Sequence, residues 1–173
     1  LTMNGSGGTL NLGTGLTHTV TNVTLTNGTL DCGSSTLNVS GTWTGTSGFT
    51  ASTGTVKYTA AGAQSVGVVT YSNLTLSGSG AKTTTGATVN GVLSLEGTAT
   101  TTGTAPFYGA AATLQYKGSA LQTTGAEFPS TFNGGGGVII NNASGVNLGS
   151  SVVISSRLTL TGGAFSVGTN TLA

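Results

Sequence analysis

Hydrophobic residues along this chain fall in short bursts in which every second position is apolar. Val23/Leu25, Leu37/Val39, Val56/Tyr58, Leu74/Leu76, Leu93/Leu95 and Leu158/Leu160 all follow the alternation, with Thr, Asn, Lys or Ser between the two apolar residues. A two-residue period puts alternate side chains on opposite faces, so each burst predicts a half-buried strand of about four to six residues. The bursts end in Gly, Asn or Ser, the residues that supply turns. No helical periodicity persists for more than about one turn, so an all-β protein is expected.

The bursts also repeat. VTLTNGTLDCGSSTLN (Val23 to Asn38) aligns with LTLTGGAFSVGTNTLA (Leu158 to Ala173), pairing Leu30 with Phe165 and Cys32 with Val167. A weaker copy begins at Leu93. TVKYTAAGAQSVG aligns with TLQYKGSALQTTG, pairing Tyr58 with Tyr116 and Gln64 with Gln122. A third pairing sets Lys82 against Asn147 and Val89 against Ile154. Together they predict a module of about 65–70 residues, a period that belongs to solenoids and arrays. The expected organisation is one segment, 1–173, with modules at 23–92, 93–157 and a partial copy at 158–173. An insertion at 127–137 is expected to form a loop on the outside of the coil.

Strands spaced about 7–10 residues apart within so long a period predict a parallel β-helix, a β-solenoid of about eight coils with about three coils per module. At about 4.8 Å per coil the rod would be roughly 35–40 Å long. An antiparallel sandwich accommodates the spacing but gives no reason for the internal copies.

Composition narrows the functions. Charged residues make up 4% of the chain, against about 25% in average proteins, and the net charge is +1. That leaves no electrostatic footprint for nucleic acid. The hydrophobic content of 36% separates the chain from disordered Gly-rich sequences despite its 31 glycines. No apolar run approaches the roughly 20 residues of a membrane span. Cys32 is the one cysteine, which excludes an internal disulfide and a multi-cysteine metal site. Because the pattern is already running at Leu1 and still running at Ala173, a segment of a longer repetitive protein, or a mature product cut from one, is expected.

The run GAQSVGVVTYSNLTLSGSGAKTTTGATVNGVLSLEG, with GTLDCGSSTLNVSG before it, resembles the repeats of large bacterial surface or secreted proteins. These are the filamentous-haemagglutinin-like and autotransporter-like adhesins. The resemblance implies a right-handed β-helix, export to the cell surface and a stalk or adhesive role. It supplies no catalytic residues.

Candidate chemistry is sparse. The three acids, Asp31, Glu96 and Glu127, are spread along the chain, and solvated surface positions are expected rather than the paired carboxylates of a glycosidase. His18 shares the apolar phase of Leu16 and Val20, which predicts a packed or corner residue, and Cys32 replaces a valine in its copy, which predicts a small buried hydrophobe. SGSGAKTT departs from a phosphate-binding loop at Ala81 and has no helix after it. No catalytic residue, metal ligand or cofactor is expected.

Recognition is a separate question. Tyr58 and Tyr116 recur in the inward phase and predict core rungs. Trp43 lies between Thr42 and Thr44 and suits either a core stack or a sugar-binding surface. Thr17, Thr19, Thr42, Trp43 and Thr44 therefore form the candidate ligand surface. In the aligned copies Thr24/Thr26 becomes Ser94/Glu96 and Thr159/Thr161. A glutamate inside the array argues against a lattice-matching threonine face.

Three functions from different classes remain: a structural or adhesive segment of an extracellular surface or fibre-forming protein, self-associating through its coil ends; an ice- or carbohydrate-binding module; and, least supported by the acid count, a polysaccharide-active enzyme.

Overall fold

The computed structural model describes residues 1–46 and 48–173. Among these there is no helix, and every strand pairing is parallel. The chain winds into a β-solenoid of about nine turns, one more than the spacing predicted. The first turn holds the long strand Thr2–Asn11, which pairs with Val23–Asp31.

Each coil has three sides, and the alternation explains the first of them. The strands Thr14–Val20, Ser34–Val39, Thr55–Tyr58, Asn73–Leu76, Val92–Thr102, Thr113–Gly118, Gly137–Asn141 and Leu158–Gly162 pair in that order. In-register parallel pairing sets like positions above one another. One inward column therefore runs through His18, Leu37, Val56, Leu74, Leu93, Leu114, Val138 and Leu158. The next inward column includes Val39, Tyr58, Leu76, Leu95, Tyr116 and Ile140, all buried. The inward phase read from the sequence holds for these bursts.

The second and third sides are discontinuous, and they break at the same two levels. The lowest block holds Thr2–Asn11, Val23–Asp31, Trp43–Thr44 and Phe49–Thr50. In the middle block, Gln64–Ser65, Ser79–Thr83 and the far half of Val92–Thr102 form the second side. Thr70–Tyr71, Thr88–Val89 and Phe107–Tyr108 form its third side. The upper block repeats this with Gln122–Thr123, Val146–Asn147 and Phe165–Ser166 on the second side. Its third side holds Thr131–Phe132 and Val153–Ile154, with a bridge from Val152 to Leu172. Nine coils are thus three blocks of three, joined throughout only by the first side.

Aromatic rings occupy both seams between blocks. At the lower seam Trp43 meets Phe49 edge-on at 5.1 Å, with Tyr71 at 6.3 Å and Tyr58 at 6.4 Å. At the upper seam Tyr108 meets Phe132 at 4.9 Å, and Phe128 lies 6.2 Å from Phe132. The ladders on the second and third sides stop at these two levels.

The blocks revise the repeat boundaries. The three-coil unit exists, but it restarts at Thr55 and Thr113, where Tyr58/Gln64 and Tyr116/Gln122 hold equivalent places. The boundaries expected at 23–92, 93–157 and 158–173 are displaced because Val23 lies on the second side whereas Leu158 lies on the first. The copies share strand spacing but start on different sides. Lys82 likewise points inward, whereas its aligned partner Asn147 lies between buried Val146 and Leu148 and points out. The insertion at 127–137 lengthens the step from Leu114 to Val138 to 24 residues. It is no outside loop, because Glu127, Phe128 and Phe132 are buried within it.

The corner between first and second sides is held by buried polar side chains. Gln64 Nε2 donates to the carbonyls of Val39 (2.9 Å) and Gly41 (2.7 Å), and Gln64 Oε1 accepts from Ala60 N–H. Gln122 repeats the arrangement with Leu95 O and Gly118 N–H. Lys82 Nζ donates to Ala60 O, Gly62 O and Ser79 O at 2.7–2.9 Å. Asn142 Nδ2 donates to Ala120 O. These bonds give the buried amide and ammonium groups the partners that burial requires, and add a second hydrogen bond to carbonyls such as those of Val39 and Ala60 that also accept from the next coil's backbone.

At the lower seam the tyrosine hydroxyls close a ring with one glycine. Gly67 N–H donates to Tyr58 Oη (2.7 Å), Tyr58 donates to Tyr71 Oη (2.8 Å), and Tyr71 donates to Gly67 O (2.8 Å). A Cβ on Gly67 would fall 2.4 Å from Trp43 Cδ1. Gly67→Ala is therefore expected to destabilise the fold by about 1–3 kcal/mol through overpacking. Thermal unfolding should show a lowered Tm, and the displaced indole a red-shifted Trp43 emission.

Candidate functional site

The outward threonines of the first two coils can be placed one by one. Thr17 stacks on Thr36 and Thr36 on Thr55, giving three successive coils with threonine in one column. The neighbouring column runs Thr19, Asn38, Lys57, Thr75, Ser94 and Gln115. A β-branched polar residue suits such a position in any strand. The second column is already interrupted at Asn38 and Lys57. The expectation that Ser94/Glu96 replaces Thr24/Thr26 does not hold, because Thr24 lies on the second side, paired with Thr44. The array is broken by its true neighbours instead.

The candidate surface does not form one patch. Thr17 and Thr19 lie on the first side, whereas Thr42, Trp43 and Thr44 lie at and after the corner to the second. Trp43 is only 8% exposed, packed at the lower seam, and its Nε1 donates to Gly45 O at 3.2 Å. Thr42 is tied down by Asn22, whose Oδ1 accepts from both its N–H and its hydroxyl. Thr44 is exposed beside Trp43.

Every carboxylate has an internal commitment. Asp31 accepts from Gly33 N–H (2.9 Å), Ser52 Oγ (2.7 Å) and Asn11 Nδ2 (2.7 Å), and these bonds hold its carboxyl below the usual range. Glu96 pairs with Lys57 at 2.7 Å and lies 3.9 Å from Lys117. The Lys57–Glu96 bridge spans two coils and passes over Thr75 and Ser94, which are buried although they face outward. Ser94 Oγ has no hydrogen-bond partner among the described residues.

Glu127 corrects the expectation of a solvated carboxylate, because it is fully buried at the upper seam. Its Oε1 accepts from Tyr116 Oη at 2.5 Å and from Gly125 N–H at 3.0 Å, and its Oε2 accepts from Thr101 Oγ1. Tyr108 Oη donates to the Glu127 carbonyl at 2.7 Å. One signal for this centre was legible in the chain, the equivalence of Tyr116 with Tyr58, since both hydroxyls anchor a seam. None was legible for Lys82, which is buried and has its pKa lowered by that burial.

The remaining candidates are structural in placement. His18 sits in the inward column with its Nε2 2.8 Å from Leu12 O. Cys32 is buried, and desolvation pushes its thiol up to about 11. No group of three or more His, Cys, Asp or Glu side chains suits a metal ion among the described residues. Among the described residues no helix is long and apolar enough to cross a membrane.

Clefts open on the second side at both seams. One, of about 340 Å³, lies between the levels of Thr42–Thr44 and Ala63–Ser65. The other, of about 190 Å³, lies between Thr98–Thr100 and Leu121–Thr123.

All four tyrosines titrate above their ordinary value of 10.0, chiefly because burial disfavours the phenolate. Tyr108 is partly exposed by area, but its hydroxyl end is sealed against Glu127. The folded chain keeps protons that the unfolded chain releases, so this stability is full below pH about 10 and lost above it. Cys32, also raised by burial, acts in the same direction, and Lys82 in the opposite one. Alkaline titration should show no tyrosinate absorbance in the folded protein, then its appearance together with loss of β-sheet circular dichroism.

Comparison with protein-family models, with curated proteins and with solved structures finds no match.

Proposed function

We propose that this chain is a structural, adhesive rod segment of an extracellular bacterial surface or fibre-forming repeat protein, and that it extends by adding coil on coil. The observation carrying the proposal is the in-register ladder of the first side, which repeats one coil geometry through eight strands and which a further coil of the same kind would continue. Leu160 is 53% exposed, whereas Tyr116 and Ile140 in the same inward column are fully buried. The strands Thr14–Val20 and Leu158–Gly162 each pair on one edge only. Free backbone donors and acceptors beside uncovered apolar rungs accept a further parallel strand. A surface with so few charges offers little repulsion against that approach.

A non-enzymatic role agrees with the engagement of Asp31, Glu96 and Glu127 in local bonds. The repeat style of Ala63–Gly97 supports the surface-protein setting. Sedimentation and electron microscopy of the purified chain test the stacking. Concentration-dependent rods of constant width are expected, and Leu160→Lys should reduce them while leaving the melting transition in place. A monodisperse monomer at every concentration, with no fibres, would overturn stacking between chains.

A further inference from the structure

The second side carries two clefts that the stacking role does not use, and they are built alike. Each lies at a seam, where the ladder between neighbouring coils is interrupted. Each has on its floor the glutamine of the recurring corner staple, Gln64 in one and Gln122 in the other. These amides are spent on the carbonyls of Val39 and Gly41 and of Leu95, so the coils are tied at the corner and diverge beyond it. The clefts are three coils apart, roughly 14 Å along the rod at about 4.8 Å per coil.

Their chemistry is uniform. Hydroxyls of Thr44 and Ser65 rim the lower cleft beside the buried indole of Trp43, and those of Thr100 and Thr123 rim the upper one beside exposed Leu121. No charged side chain is exposed on this side. Lys57, Glu96 and Lys117 point out from the first side, Arg157 precedes a first-side strand, Asp31 pairs toward the third side, and Lys82 and Glu127 are buried. A surface of hydroxyls and small apolar groups without charge matches a neutral polyhydroxylated ligand and offers nothing to an anionic one. The recessed seams interrupt the flatness that an ice lattice requires.

We infer that the second side binds a neutral linear polysaccharide lying along the rod axis, with sugar units seated in both clefts. The inference is independent of how the coil ends are covered. Two seats on one ligand make binding depend on length, so a hexasaccharide should bind at least about tenfold more tightly than a disaccharide of the same linkage.

Trp43 is the one tryptophan, so its emission reports on the lower cleft directly. The probes are cellohexaose, maltohexaose, laminarihexaose and chitohexaose, each against its disaccharide, with calorimetry beside fluorescence. The expected result is a Trp43 emission change with at least one hexasaccharide. Ser65→Arg and Thr123→Arg, both at exposed positions, should each weaken binding about tenfold or more with melting curves unchanged. Silence of all four hexasaccharides, binding that ignores both arginines, or tighter binding of an anionic polysaccharide would overturn the inference. Thermal hysteresis abolished by the same arginines, without sugar binding, would overturn it in favour of ice.

Discussion

In-register parallel pairing along the first side is the constraint on which the molecule depends. It is the one ladder that runs unbroken through eight strands, from Thr14–Val20 to Leu158–Gly162. Because pairing is in register, an inward residue in one coil meets an inward residue in the next, and a single alternation builds a continuous core. Glycines serve the same stacking where the chain turns. Gly48, at φ +72°, brings its Cα so close to the coil below that a Cβ would collide with Gly28 O. A side chain at that corner would lift one coil off its neighbour.

The seams show how the core accommodates bulk without losing this register. Aromatic rings pack where the ladders on two sides stop, and the tyrosine hydroxyls among them make bonds of their own. The lower seam closes a neutral ring of Gly67, Tyr58 and Tyr71, whereas the upper seam surrounds a buried carboxylate with donors from Tyr116, Thr101 and Gly125. Equivalent tyrosines thus support two different polar centres. Removing one partner from either leaves buried groups unsatisfied, which costs more than the bond itself contributes.

Much of the fold was legible in the chain because its determinant is local. Leu37, Val56, Leu74 and Leu93 announce their phase through their immediate neighbours, and stacking then preserves it. Which side of the coil a burst occupies is not local. Val23 and Leu158 head segments with the same apolar spacing, yet the residues since the previous corner place them on different sides. The candidate surface was harder to read for the same reason: Thr17 and Thr42 look alike in sequence and lie on separate sides. The burial of Lys82 and Glu127 also escaped the sequence, since their partners are main-chain carbonyls, hydroxyls and amide groups without a residue signature.

The discontinuous ladders have a mechanical consequence. Inter-coil hydrogen bonds run along the rod, so a pull from end to end loads them directly. Within a block three sides share that load, but at each seam only the first side carries an unbroken ladder. A rod built this way yields first beside Trp43 or Tyr108, opening like a hinge about the first side.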